Sequence, residues 1–152
     1  MTHSRHLPIP PLCFLACLFA SWGADRLRPW HPGLPRVLRL AMALVIALPA
    51  GVIALWTLAG FVRARTTLDP KGQPSVLMVR GPFRISRNPL YLVLAASLAW
   101  IGLVRDSVWG LLTVPVLVVI LDLIVIPGEE ARLVARFGDS YRAYRHRVRR
   151  WL

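Results

Sequence analysis

The chain reads as an all-α integral membrane protein: about four transmembrane helices, the first marginal or re-entrant, then cytoplasmic C-terminal amphipathic helices. Three observations predict this. Hydrophobic residues make up 56% of the 152, above the roughly 45–50% usual in soluble domains. Those residues are gathered into runs rather than spread along the chain. The net charge of +12 comes almost wholly from arginine, one Lys against eighteen Arg, placed around those runs. A basic chain of this size can bind nucleic acid, but charges flanking apolar runs suit anionic lipid headgroups better, so no nucleic-acid partner is expected. The length fits one domain, 1–152, with two hydrophobic segments over 1–62 and a second module over 63–152.

Leu12 to Gly23 is the first apolar run, entered through Pro8, Pro10 and Pro11. A full span needs about 20 residues, so this one is marginal. A secretory signal starting at Arg5 is the competing reading. Trp22 and Asp25-Arg26 stand where a small-residue cleavage site should lie, which favours a retained helix. Cys13 and Cys17, four apart, share a helix face. They match no zinc or redox spacing and read as small apolar core residues. Asp25 to Arg39 is a proline-rich connector. Leu40 to Val62 gives 23 residues without a charge, with Pro49 and Gly51 as a site for a kink. Arg63 to Asn88 is polar and turn-rich. Pro89 to Val104 forms a third span, its proline suited to a first helical turn. Arg105-Asp106-Ser107 is a tight turn, and Val108 to Ile126 is the fourth span. Pro127-Gly128 then breaks the chain before a charged tail.

In that tail Leu133, Phe137, Tyr141, Tyr144 and Val148 recur at three- and four-residue steps, an apolar-aromatic helical stripe. Gly138 ends one helix and Asp139 caps the next. The arginines lie off the stripe, toward headgroups. With the N-terminus in the cytoplasm, the N-terminus, the 63–88 loop and the tail together carry fourteen of the nineteen Lys and Arg residues. The positive-inside rule selects that orientation, which suits a bacterial inner-membrane protein with both termini cytoplasmic.

Two polar motifs flank the last hairpin: Gly81-Pro82-Phe83-Arg84 running on to Arg87-Asn88-Pro89-Leu90-Tyr91, and Glu129-Glu130 followed by Phe137-Gly138-Asp139, Tyr141 and Tyr144. A chain that crosses twice between them returns both to one membrane face. Each residue has an ordinary reading. Arg84 and Arg87 anchor to lipid, Asn88-Pro89 caps a helix, and the two glutamates favour a helix start. Their concentration in two facing groups points instead to a site for a charged ligand. Asp122, inside the fourth span, is a functional candidate by its position. It lies seven positions before Glu129 and would share its face in an unbroken helix, although Pro127-Gly128 interrupts that alignment. The four histidines show no metal spacing, so no metal site is expected.

The two motifs resemble those of isoprenylcysteine carboxyl methyltransferases and their phospholipid N-methyltransferase relatives. Arg87-Asn88-Pro89-Leu90-Tyr91 is similar to the family's Arg-His/Asn-Pro-x-Tyr pattern. Glu129-Glu130 through Val148-Arg149-Arg150-Trp151 is similar to its Glu-Glu and C-terminal block. The likeness runs from about residue 60 to the end. It implies S-adenosyl-L-methionine as methyl donor, with Arg87, Asn88, Pro89 and Tyr91 lining one side of the cofactor pocket. Glu129 and Glu130 line the other, and Tyr141 and Tyr144 close it. Carboxylates suit the donor's cationic groups, Arg its carboxylate, and aromatic faces its adenine and sulfonium. Arg84 is placed to orient an anionic acceptor, and it and Glu130 are the candidate catalytic residues. Many members carry His where this chain has Asn88, so a proton-transfer role there is lost and a binding role survives.

The expected function is methyl transfer to a lipophilic small molecule or lipid-linked acceptor at the cytoplasmic membrane face, the accepting atom being a carboxylate, amine or thiol. The rival is a non-catalytic membrane carrier or assembly subunit of the same fold. A bare lipid-surface anchor leaves Glu129-Glu130 unexplained.

Overall fold

A computed structural model describes residues 10–64 and 76–152, and the described residues contain helices and no strand. Six helices follow in order: α1 Pro10–Leu27, α2 Arg36–Ala64, α3 Pro89–Val104, α4 Val108–Ile120, α5 Ile126–Phe137 and α6 Asp139–Arg147. A 3₁₀ turn, Gly81–Arg84, leads to α3, and a π-helical turn, Leu121–Val125, joins α4 to α5.

Of the four spans expected, two have the length and hydropathy to cross a membrane, Arg36–Ala64 and Val108–Phe137. The shortfall has a physical cause in each remaining helix. α3 is apolar but has 16 residues, about 24 Å of rise against a hydrocarbon thickness of about 30 Å. α1 is an unbroken helix of 18 residues, diluted by two prolines at its start and by Asp25-Arg26 at its end.

The core lies where α1, α3 and α4 meet. Cys13 and Cys17 pack there with Leu98, Leu117, Leu121, Val125 and Ile126, so the cysteines serve as small apolar side chains. α2 lies along α3 and buries only Ala43 and Thr57 completely, leaving its apolar flank uncovered. α3 and α4 approach most closely at Gly102 and Gly110, where a Cβ on Gly110 would stand 2.8 Å from Gly102 Cα.

The expected break at Pro127-Gly128 does not occur: α4, the π turn and α5 form one continuous rod. Proline lacks an N–H and crowds the preceding turn. The chain meets this by winding wider just before it, where the Ile126 N–H donates to Leu121 O, five residues back. Gly138, at φ +52°, ends α5 as expected, but Asp139 does not cap α6 with its side chain. Its carboxylate pairs with Arg142 at 2.7 Å.

At the end of the bundle far from the two motifs, the last turn of α1 and the start of the α1–α2 connector are clasped to the α3–α4 turn and the start of α4. Arg105 binds Asp25 at 2.7 Å, Ser107 Oγ donates to Asp25 at 2.9 Å, and Trp109 Nε1 donates to Arg28 O at 2.8 Å.

The Gly102–Gly110 contact gives a sharp expectation. Gly110→Ala forces α3 and α4 apart and should cost about 1–3 kcal/mol. Gly51→Ala, with nothing within 4 Å of the added methyl, should leave stability unchanged or raise it. Unfolding midpoints of the two variants in detergent check the contrast.

Candidate functional site

The two motifs converge at one end of the bundle. Arg87, on the loop between the 3₁₀ turn and α3, sets its Nη1 2.9 Å from Glu130 Oε1 on α5. One turn into α3, the Tyr91 hydroxyl donates to Glu129 Oε1 at 2.5 Å. The two glutamates, adjacent in sequence, thus bind the two ends of the Arg87–Tyr91 stretch.

Glu130 is 8% exposed and holds a second guanidinium. Arg150 Nη2 donates to its Oε2 at 3.0 Å and Nε to its Oε1 at 3.3 Å. Arg150 Nη1 also donates to Asp122 Oδ1 at 3.0 Å, an atom that accepts from Trp151 Nε1 at 2.9 Å as well. Hydrogen bonding to Glu130, then to Asp122, holds the Arg150 guanidinium more firmly protonated than usual. Asp122 and Glu130 meet one arginine because of the π turn. Each α-helical residue advances about 100°, and a π turn takes up one residue more than an α turn. That extra residue moves the partner of Asp122 from Glu129 to Glu130.

The same C-terminal segment is tied to the first motif by its backbone. Arg150 O accepts from Ser86 Oγ at 3.2 Å and from Asn88 Nδ2 at 3.1 Å, and Arg149 O accepts from Arg87 N at 3.0 Å. Asn88 stands at the N-cap of α3 yet makes no side-chain cap; its amide holds the tail. Sequence reasoning missed Arg150 as a site residue because it is one of seven tail arginines. The available signal was its place in Val148-Arg149-Arg150-Trp151, the stretch that resembles the family's C-terminal block; the expected helical stripe ran through Val148, but the helix ends before it in extended backbone.

Tyr141 and Tyr144 are buried on the inner side of α6, with ring centroids 6.1 Å apart. The Tyr144 hydroxyl donates to Phe83 O at 2.7 Å. Burial raises both phenols, Tyr144 to about 12, with the Arg87 charge opposing in each case. Pro89 is buried at the start of α3, whereas Arg84 is exposed on the 3₁₀ turn and makes no ion pair with the other described residues. The Arg87 guanidinium also interacts with the Tyr141 hydroxyl; its Nε is buried and has no well-aligned hydrogen-bond acceptor among the described residues. Among the described residues no group of three or more His, Cys, Asp or Glu could hold a metal ion.

Beside this network a cleft of about 680 Å³ runs between the end of α2 and residues 76–83, lined in part by Trp56, Arg63, Arg80 and Phe83. None of the candidate cofactor residues lines it. Phe83, whose carbonyl Tyr144 holds, is the wall shared by cleft and network.

Among the described residues, two helices are long and apolar enough to cross a membrane, and a buried Arg–Glu–Tyr cluster lies at one end of the bundle. The profile of the phospholipid methyltransferase family matches residues 38–140, and the chain belongs to that family. It is also similar to an uncharacterized protein of Haemophilus influenzae, 38% identical over 63 residues, which is 41% of this chain and 94% of the relative. No solved structure matches it.

Two outcomes follow from the network. Glu130→Ala leaves two guanidiniums without their shared partner. It should cost toward the low end of roughly 3–5 kcal/mol, because Arg150 remains partly solvated. Tyr144→Phe should cost about 0.5–1.5 kcal/mol for the bond to Phe83. It should also change the pH profile. The folded protein keeps the Tyr144 proton up to about pH 12 and the unfolded chain only to about 10. The stability this supplies is complete below pH 10 and is lost as pH rises through 12. Alkaline denaturation of Tyr144→Phe should lack that component.

Proposed function

We propose that the protein is an S-adenosylmethionine-dependent methyltransferase. Its acceptor is a lipophilic small molecule or lipid-linked group, presented at the cytoplasmic membrane face. The observation that carries this reading is the buried Arg87 Nε at the junction of the two motifs, which has no well-aligned acceptor among the described residues. A buried guanidinium N–H without an acceptor costs free energy, and a ligand carboxylate is its natural partner. Membership of the phospholipid methyltransferase family supports the chemistry.

The residues fit such a donor. Arg87 would take its carboxylate. Glu129, whose Oε1 is taken by Tyr91, offers its other oxygen to a cationic group. Tyr91, Tyr141 and Tyr144 supply aromatic faces, and Pro89 a rigid wall. Asn88, through Arg150 O, holds the tail against the site, and Glu130 fixes Arg87. When bound, S-adenosylmethionine supplies an electrophilic methyl group on a sulfonium whose charge disappears on transfer. The chain's own task is positioning and exclusion of water, with the exposed Arg84 available to an anionic acceptor. The basic face of α5 and α6 is proposed to meet anionic lipid headgroups.

The non-catalytic reading draws on one observation, that Glu130 is already saturated by Arg87 and Arg150. Calorimetry on detergent-purified protein separates the two. S-adenosylmethionine or its demethylated product should bind, and Glu129→Gln should weaken binding about ten- to a hundredfold, the worth of one charge-assisted contact. Absence of binding in the folded wild type selects the carrier. Topology is checked separately: cysteines placed at Arg80 and Asp139 should be labelled from the cytoplasmic side, and one at His31 from the other. Labelling of Arg80 and Asp139 from opposite sides would exclude a shared site.

A further inference from the structure

The outward face of α6 takes no part in the network above, yet the segment that follows it closes that network. We propose that an anionic lipid surface regulates the site through this face: headgroups bound to Arg145, Arg147 and Arg149 hold the C-terminal strap against the Arg87 loop. The effect on donor binding rests on the methyltransferase reading; the latch itself does not. The headgroup acts from outside and is not consumed.

α6 depends on its surroundings. At nine residues it is shorter than the roughly 12–15 at which an isolated helix becomes marginal in water. Its inner face is fixed by Tyr141 and Tyr144, both buried. Its outer face, with Arg142, Arg145 and Arg147, is exposed, as is Arg149 just beyond it. Residues 131–152 hold seven arginines and a single acid, Asp139, which is paired with Arg142. The sequence 65–75 adds Arg65 and Lys71 against Asp69, so it brings no net negative charge. Arg150 is paired with Glu130 and Asp122. The arginines gathered around it repel one another, and that repulsion works against the docked arrangement.

Depth selects the counter-ion. From Val108 to Ile126 the rod rises about 28 Å, close to the hydrocarbon thickness of about 30 Å. With the rod in a bilayer, headgroups begin where α5 begins. After Gly138 the chain turns back toward that level: Arg149 O meets the Arg87 amide beside Glu130, and Trp151 Nε1 reaches Asp122. Arg149 is thereby returned to the headgroup boundary, with Arg147 and Arg145 leading up to it. A bilayer surface reaches all three there, and each guanidinium can pair with a lipid phosphate.

The same segment holds the site. The carbonyls of Arg149 and Arg150 accept from Arg87 N, Ser86 Oγ and Asn88 Nδ2, and Tyr144 on α6 donates to Phe83 O. A ligand shifts such a docking equilibrium only through a difference in affinity for its two states. Docked, the three guanidiniums are gathered near one level; released, they are dispersed and lose simultaneous contact with the surface. Headgroups therefore favour the docked strap, and with it the Arg87 guanidinium in place beside Glu130.

The test uses full-length protein in nanodiscs of phosphatidylcholine alone or with about 30% phosphatidylglycerol, and follows hydrogen exchange of the Arg87 amide. Phosphatidylglycerol should slow that exchange about tenfold. The Val108 amide, bonded to Trp30 O at the far end of the bundle, should be unmoved. Salt at about 0.5 M should remove the slowing. The triple variant Arg145→Gln, Arg147→Gln, Arg149→Gln should exchange alike in both discs, whereas Arg145→Lys, Arg147→Lys, Arg149→Lys should keep the difference. Four results overturn the proposal: no difference between discs in the wild type, slowing that survives in the Gln triple, slowing insensitive to salt, or slowing by inorganic phosphate in phosphatidylcholine discs. Slowing by soluble polyglutamate and not by phosphatidylglycerol also overturns it, in favour of an acidic protein partner. The salt titration needs no variant and decides the matter should the Gln triple fail to fold. S-adenosylmethionine binding is measured by calorimetry in the same discs, where phosphatidylglycerol should lower Kd about tenfold. Lipid-dependent exchange without donor binding in either disc leaves the latch standing and sinks the methyltransferase reading. Donor binding in both discs with exchange indifferent to lipid charge does the reverse. Equal donor Kd in the two discs despite lipid-dependent exchange overturns the regulatory role.

Discussion

Glu130 is a carboxylate taken almost entirely out of water at the end of an apolar rod. Burying a carboxylate is costly unless close, well-aligned counter-charges and hydrogen bonds meet it. Both counter-charges come from elsewhere in the chain: Arg87 from the loop before α3, Arg150 from beyond α6. Meeting the demands of one carboxylate thus draws three distant segments to one point. The backbone bonds from Ser86, Arg87 and Asn88 to Arg149 and Arg150 then convert that electrostatic meeting into a fixed strap. Around it Tyr144 ties α6 to Phe83, and Tyr91 ties α3 to Glu129. The site end of the molecule is a polar assembly held by charge, whereas the α1–α3–α4 core is held by apolar packing.

The π turn at Leu121–Val125 makes this arrangement possible. In a regular helix Asp122 would align with Glu129, and Glu130 would point about 100° away. With one residue absorbed in the wider turn, Asp122 and Glu130 share Arg150, and Glu129 is left to Tyr91. One irregularity therefore divides two neighbouring glutamates between different partners: Glu130 holds Arg87 and Arg150, and Glu129 accepts from Tyr91. Pro127 explains why the irregularity sits where it does, since the wide turn precedes the residue that cannot donate. Single π turns within α-helices are frequent at functional sites.

Much of this was legible in the sequence, for reasons that can be named. The Arg87–Tyr91 and Glu129–Glu130 motifs meet because α3 and the α4–α5 rod fold back on each other between them, whether or not α3 crosses a membrane. The burial of Cys13, Cys17, Tyr141 and Tyr144 followed from helical periodicity. What escaped was set by competition between local rules. Pro127-Gly128 reads as a break because proline forfeits a hydrogen bond, but a π turn relieves that loss more cheaply than ending a helix in apolar surroundings. Asn88 reads as a cap by residue type, yet its amide is taken by a carbonyl 62 residues away. Arg150 was invisible because periodicity assigns faces only within helices, and it lies outside one. The count of spans failed at α1 and α3, where hydropathy is adequate in part but length or flanking charge is not.

The membrane argument is strengthened by burial rather than by span count. A soluble protein's core helix also passes a test of length and hydropathy, but it is covered. α2 is not: Val37, Leu44, Val45, Leu48, Val52, Leu55 and Val62 are all exposed along it. Monomeric soluble proteins rarely expose contiguous apolar patches beyond a few hundred Å², and a flank extending over a helix of 29 residues goes well past that. Something apolar must cover α2. The family to which the chain belongs and the cluster of arginines at the site end both favour a bilayer over a second protein. The short helices then find a place as well. α3, at 16 residues, packs between α2 and the rod formed by α4 and α5. Its polar start at Asn88 can sit below headgroup level because the strap, not water, satisfies it.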